Sequence, residues 1–350
     1  MISHRPTACR SAATVLCSVL ATAACGHGPA PERFAGPAMG TTYEVVIPQR
    51  PDAVSRQAVE AVIRGVLDEA DRHLSGWNPS SEIAQFNAFG TEWFPASTVL
   101  LETLDGAQAV SRASAGAFDV TVAPLVSAWG FGAAGRRDGM APTGAEIAVL
   151  HASVGYGKLE LRARPPALRK SDPRLRIDLD GVAPGYAVDR IAARLEALGV
   201  NDYLVELGGE VRARGHNASG RRWRVAVEAP VPGERRPYTL MELDGVGVST
   251  SGDYRDYREV SGRRVSHTID PRTGTPVAHR LASVTVVHSS VATADAWATA
   301  LMVLGPEEGA QLAHRLGLAA LFIERDASGA LRETSTPAFA SLRRPLPRGL

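Results

Sequence analysis

Beyond residue 25 the chain contains no cysteine, because all three, Cys9, Cys17 and Cys25, fall at its start. The body therefore holds no disulfide, no zinc–thiolate site and no cysteine nucleophile. Aromatic residues are scarce, and no basic patch is interleaved with them. Charge of one sign is lacking too, with 38 basic residues against 37 acidic ones. That balance does not point to nucleic acid as a partner. No repeat at a period of about 20 to 50 residues is visible, which argues against a solenoid or propeller.

What is present begins with an export signal. Arg5 and Arg10 precede a small-residue, mostly apolar stretch from Ser11 to Ala24 that is too short to span a bilayer. Cys25 follows Leu20-Ala21-Thr22-Ala23-Ala24 and resembles a lipobox cysteine, with Thr22 where that signal usually carries Leu. Lipid attachment at Cys25 is expected, with simple cleavage nearby as the alternative. Residues 25–36, rich in Gly, Pro and Ala, read as a flexible tether; 37–340 as one domain; and 341–350, with Arg343, Arg344 and Arg348, as a disordered tail.

Within the body, strand-like and helix-like periods mix without strict alternation, which predicts an α+β (mixed α/β) fold rather than a doubly wound sheet. Strands are expected at Thr42–Pro48, Arg176–Leu179, Tyr203–Leu207, Trp223–Glu228, Ser283–His288 and Leu318–Glu324, with Phe118–Val122 short and β-prone. Helices are expected from Asp52 to Leu74, after a cap at Ser97, and over Ala187–Leu198, Ala292–Leu304 and Glu307–Leu316.

Chemistry concentrates between Gly247 and Thr299. Ser249, Thr250, Ser251 and Gly252 read as a loop of N–H and hydroxyl donors suited to phosphate oxygens. Asp295 and Thr299, four residues apart on a helix, share a face and suggest a hard cation; the same pair also reads as dipole compensation and a hydroxyl bonded to the preceding turn. His267, before Ile269-Asp270-Pro271, is suited to taking a proton from a hydroxyl, although a lone histidine is more often structural. Asp178 and Asp180 open onto Gly181–Gly185, which lacks the dinucleotide fingerprint. Glu206 and Glu210 flank Gly208-Gly209 as a carboxylate pair or, more simply, a tight strand end. Trp77 can stack on a flat heterocycle or merely pack.

The motifs Met39-Gly40-Thr41, LSGWNPSSEIAQFN, Ala117-Phe118-Asp119, IDLDGVAPGYAVD, VELGGEVRARG, VSTSGDYRDY, SHTIDPRTGTP and ATADAWATALMVLG occur in this order between Met39 and Gly305. In content and order they resemble the ApbE-type flavin transferases, the FAD:protein FMN transferases, in their exported lipoprotein branch. The resemblance implies two intimately packed α/β lobes with largely antiparallel sheets. It also implies magnesium-dependent cleavage of the FAD pyrophosphate, with FMN placed on a Thr or Ser hydroxyl of an exported acceptor and AMP released. That acceptor is a subunit of a membrane redox complex in the family, and the location is the cell envelope, on the periplasmic side. A pyrophosphatase giving free FMN, and a flavin-binding lipoprotein without turnover, are the alternatives. Carried over by motif, Met39, Trp77, Ala117, Phe118, Asp119, Asp178, Pro184 and Ile269 line the FAD site. Asp295 and Thr299, with main-chain oxygens of Gly181 and Ala298, hold magnesium, and His267 is the base. Two departures are visible: Pro184 stands where many members carry Lys, and Ala298 where some carry a carboxylate.

Overall fold

The computed structural model describes residues 30–133, 135, 140–253, 257–260 and 263–346; the expected export signal, Cys25 and Arg348 lie outside the described residues. At the centre is an eight-stranded sheet whose neighbours all run antiparallel. In spatial order its strands are β1 (Glu32–Ala38), β2 (Thr41–Ile47), β6 (Tyr203–Leu207), β7 (Glu210–Arg214), β10 (Val246–Gly252), β15 (Leu281–His288), β16 (Ala319–Arg325) and β17 (Leu331–Ser335). Two three-stranded sheets accompany it: β3 (Phe94–Pro95), β5 (Pro166–Lys170) and β4 (Leu159–Ala163), and then β18 (Arg343–Arg344), β9 (Pro237–Leu243) and β8 (Trp223–Glu228). Two short hairpins follow β10, namely β11 (Tyr257–Val260) with β12 (Arg263–Ser266), and β13 (Ile269–Asp270) with β14 (Thr275–Pro276). The helices are α1 (Arg56–Leu74), α2 (Glu82–Ala88), α3 (Thr98–Ala113), α4 (Ala123–Ala128), α5 (Gly144–His151), α6 (Ala183–Ala197), α7 (Val291–Leu316) and α8 (Pro337–Leu342). This is the expected α+β class with antiparallel sheets.

The two-residue period of the strands sorts the central sheet into two buried faces. On β6, Tyr203, Val205 and Leu207 join α1 and α6 in one apolar cluster, whereas Leu204 packs with Trp223, Val225 and Met241 of the opposite layer. On β15, Val284 and Val286 meet α3 and α7, and Val287 faces the other way. The sheet is thus sandwiched between helices and the β8–β9–β18 layer. Helix starts follow their serines: Ser55, Ser81, Ser97 and Ser290 each accept a backbone N–H at the head of α1, α2, α3 and α7. The two helices expected between 292 and 316 form one element broken at Gly305, whose φ of 80 is left-handed, next to Pro306, which has no N–H.

Four sequence expectations are corrected. The tether ends early, because Glu32–Gly36 already belong to β1 and pair in register with β2. The tail is ordered through residue 346, because Arg343 and Arg344 pair with β9 while their guanidinium groups bind Glu333 and Glu242. Arg176–Leu179 is not a strand, although Ile177 and Leu179 are buried. The side-chain amide of Asn87 stands in for a neighbouring strand there, accepting from Ile177 N and donating to Ile177 O, and only one bridge, Val122 to Arg176, forms. Phe118–Val122 is likewise mostly a turn, tied by Asp119 and by two backbone contacts to the neighbouring segment, the Val122–Arg176 bridge and the bond from Asp178 N to Val120 O at 2.7 Å.

Beneath the β3–β5 sheet lies Lys170, which is fully buried. Its ammonium donates to the carbonyls of Phe86, Asn87 and Leu175 at 3.2, 3.1 and 3.1 Å, tying the end of α2 to the segment that leads to Asp178. Exchanging Lys170 for methionine keeps the volume and takes the ammonium from three carbonyls, of which Phe86 O and Leu175 O keep a second donor in Phe89 N and Arg176 Nη1. We expect Lys170→Met to lose on the order of 3 kcal/mol, read as a lower urea midpoint; an unchanged midpoint would mean that water replaces the ammonium without loss.

Candidate active site

The Asp178–Gly181 segment that leads into α6, the first turns of α7, the end of β10 and the Ala117–Val122 turn converge on a cavity of about 370 Å³. Asp295 and Thr299, one helical turn apart on α7, both face it. Asp295 is only 6 % exposed; its Oδ1 accepts the Ser249 hydroxyl at 3.2 Å, and its Oδ2 has no hydrogen-bond partner. Burial, then the charge of Glu210, holds this carboxyl well above the usual carboxylate range. Thr299 Oγ1 lies 3.2 Å from Ser251 Oγ. Gly181 closes the corner, since a Cβ there would sit 3.3 Å from both Thr299 Oγ1 and Phe118 Cε2. Ala298 is fully buried inside α7 and does not line this cavity. No cluster of three His, Cys, Asp or Glu side chains suited to a metal occurs among the described residues, so a cation here needs hydroxyl, main-chain or substrate oxygens as well.

Ser249–Gly252 is not a loop but the end of β10, paired with β15 along its whole length. β7 accompanies β10 only as far as Val248, so Thr250, Ser251 and Gly252 reach the cavity wall with that side of the strand uncovered. In antiparallel geometry alternate residues turn their N–H groups to that side. Donors are therefore present, supplied by a strand end.

Opposite stands the Asp178–Gly181 segment. Asp178 Oδ1 accepts Asp180 N at 2.8 Å, and Asp180 Oδ2 accepts the Trp77 indole N–H at 3.3 Å. Solvent reaches the Asp180 side chain, yet it is enclosed by the cavity wall, where desolvation and then the charge of Asp178 push its carboxyl up to about 7. Trp77 is 56 % exposed, so its ring is held by this bond more than by packing. Both residues also border a second cavity of about 160 Å³. Met39 and Pro184 line that second cavity, not the first. Met39 gets there through a tight turn: it and Gly40 link β1 to β2 with φ of 48 and 78, the two-residue geometry that matches strand twist.

Ala117, Phe118 and Asp119 line the main cavity, but the carboxylate of Asp119 is already engaged. It accepts from Thr121 N at 2.8 Å, Thr121 Oγ1 at 2.7 Å and Tyr156 N at 2.7 Å, so it shapes the turn that presents Phe118. Facing them, His267 is half-buried between β12 and β13, its ring edge-on to Phe131 at 6.3 Å, and Ile269 follows on the same wall. The cavity thus brings together a basic imidazole, a buried carboxylate beside hydroxyls, and apolar and aromatic walls.

Sequence reasoning placed Ser249 among phosphate donors, Asp180 beside the Gly181–Gly185 loop and Glu210 in a carboxylate pair or tight strand end, but it did not join Ser249 or Glu210 to Asp295. Asp180 carried a signal in its spacing from Asp178, whereas the Ser249–Asp295 contact joins residues 46 apart and leaves no local trace. Packing against α7 is tight at Gly185, where a Cβ would lie 2.7 Å from Ala292 Cα and N and 2.8 Å from Val291 C. Those are backbone atoms and cannot step aside. Gly185→Ala is expected to cost about 3 kcal/mol and to loosen the corner around Asp295 with it; a variant matching the parent in urea midpoint would show that the helices separate freely.

Known proteins share the sequence and fold of most of this chain. The family model described as "ApbE family" matches residues 39–322. A Vibrio cholerae protein named FAD:protein FMN transferase is 38 % identical over 315 residues, covering 90 % of this chain and 93 % of its own length. A Klebsiella pneumoniae protein of the same name is 38 % identical over 297 residues, 84 % of each chain. The solved structure of a Pseudomonas stutzeri flavinyl transferase ApbE superposes with a TM-score of 0.81 at 41 % identity, covering 89 % of this chain and 96 % of that one.

Proposed function

The chain belongs to the ApbE family, and from that membership we infer that it is an FAD:protein FMN transferase acting with a divalent cation on a hydroxyl of an acceptor protein. The observation that carries the site assignment is the buried Asp295 carboxylate, one oxygen unpartnered, in a cavity wall shared with Thr299 and His267. That donor set of hard oxygens, set among further carboxylates, fits magnesium. Asp295 and Thr299 would hold the ion, with the main-chain oxygen of Gly181 beside them. When bound, magnesium supplies charge neutralisation for the pyrophosphate.

The chain's own groups do the rest. Trp77, Phe118 and Ile269 offer flat and apolar surfaces for the flavin or adenine rings, and the uncovered end of β10 offers donors to phosphate oxygens. His267 takes the proton from the incoming Thr or Ser hydroxyl. As that proton leaves, the acceptor oxygen bonds to the phosphorus of the FMN half, the bond from this phosphorus to the AMP oxygen breaks, and AMP departs. Holding the two reactants in line accounts for much of the rate gain.

Residues 1–25 support export and lipid anchoring at Cys25, which would place the site where exported subunits of membrane redox complexes pass. Incubation with FAD, magnesium and a candidate acceptor, followed by denaturation, tests the reading. Flavin fluorescence retained on the acceptor band is the expected result. Free FMN instead would identify a pyrophosphatase, and intact FAD a binding protein.

A further inference from the structure

Glu210 opens β7 directly after the Gly208-Gly209 turn, and no step of the transfer uses it. The turn itself does not depend on it, because Glu206 Oε1 accepts the Gly209 N–H at 2.8 Å. Glu210 Oε1 lies instead 3.3 Å from Ser249 Oγ, the same hydroxyl that lies 3.2 Å from Asp295 Oδ1. A serine hydroxyl has one proton to share. Here it stands between two carboxylates, and Ser249 is only 1 % exposed.

Two negative charges so close repel strongly where water is excluded. A divalent cation at Asp295 matches a pair of carboxylates in charge. The pairing matters more in this chain because position 298 is alanine, so that Asp295 is the only carboxylate of α7 on the cavity wall. Asp295 Oδ1 is turned to Ser249, and Oδ2 remains without a protein partner.

We propose that Glu210 is a positioning residue for the divalent cation: it lies against the same Ser249 hydroxyl as Asp295 Oδ1 and supplies the second negative charge of the site. This rests on Asp295 being a cation ligand. Residues that orient a metal's ligands typically change its affinity by about 10- to 100-fold when altered.

Glu210→Gln keeps the shape and hydrogen bonding of the side chain and removes its charge. In the purified full-length protein, Mn2+ binding followed by electron paramagnetic resonance should weaken by about tenfold. FAD affinity in the presence of a chelator and the thermal midpoint should not fall. Ser249→Ala should weaken Mn2+ in the same direction, and transfer by Glu210→Gln should return when Mn2+ is raised by the factor lost. If Asp295→Asn loses Mn2+ while Glu210→Gln binds it like the parent, the role of Glu210 is wrong and the cation site stands. If Asp295→Asn also binds Mn2+ normally, both are wrong. A Glu210→Gln protein that loses thermal stability and FAD affinity together would make the residue structural and overturn the proposal.

Discussion

Replacing Asp295 with asparagine should abolish most flavin transfer at ordinary magnesium concentrations while making the protein harder to unfold. The two effects have one cause. A carboxylate that is 6 % exposed, beside Glu210 and with one unpartnered oxygen, is poorly solvated in the folded chain. Asparagine keeps the volume and an acceptor for Ser249 but removes the charge. Stabilising a cation at a transferring phosphoryl group is worth several kcal/mol, so transfer should fall by on the order of 10²- to 10³-fold. The thermal midpoint should rise, as it does when a strained functional group is neutralised. A magnesium titration superimposable on the parent's would remove Asp295 from the cation site.

His267→Ala should separate binding from chemistry. General-base assistance is typically worth 10²- to 10⁴-fold, and the loss should appear in transfer by roughly that factor. His267 is half-buried on the wall with Phe131 and Ile269, so its removal leaves the opposite wall of Trp77, Phe118 and Asp178 in place. FAD affinity is therefore expected to hold. Denatured acceptor would carry almost no fluorescence while FAD still protects the enzyme against thermal unfolding. Transfer at the parental rate would mean that the hydroxyl gives up its proton elsewhere.

Much of the site is legible in the amino-acid sequence. Asp295, Thr299 and His267 stand out by residue type and spacing, and their convergence with Trp77, Phe118 and Asp178 follows from motif order. Elements with strong periods, such as α1 and β15, fall within a few residues of where the pattern puts them, because packing reinforces what the pattern prefers. Ser249–Gly252 misleads because its small polar residues are loop-like in composition, and only the partnership with β15 makes them a strand. Arg176–Leu179 misleads in the opposite sense. Its alternation is real, but the bonds a sheet would supply come from the Asn87 side chain 90 residues earlier. Asp119 reads by motif as lining the site and does line the cavity, and its carboxylate also holds the turn. Such long-range side-chain bonds have no local signature.

The close approach of Gly185 to Ala292 also governs when the site can come into being. Gly181 and Gly185 are made more than 100 residues before Ala292 and Thr299. Until α7 is laid against α6, the corner that holds Asp295 does not exist. Contacts this distant in sequence form late and slowly in folding. A chain that has not yet laid α7 against α6 thus lacks this corner, and acquisition of flavin affinity is expected to follow the folding of its last third.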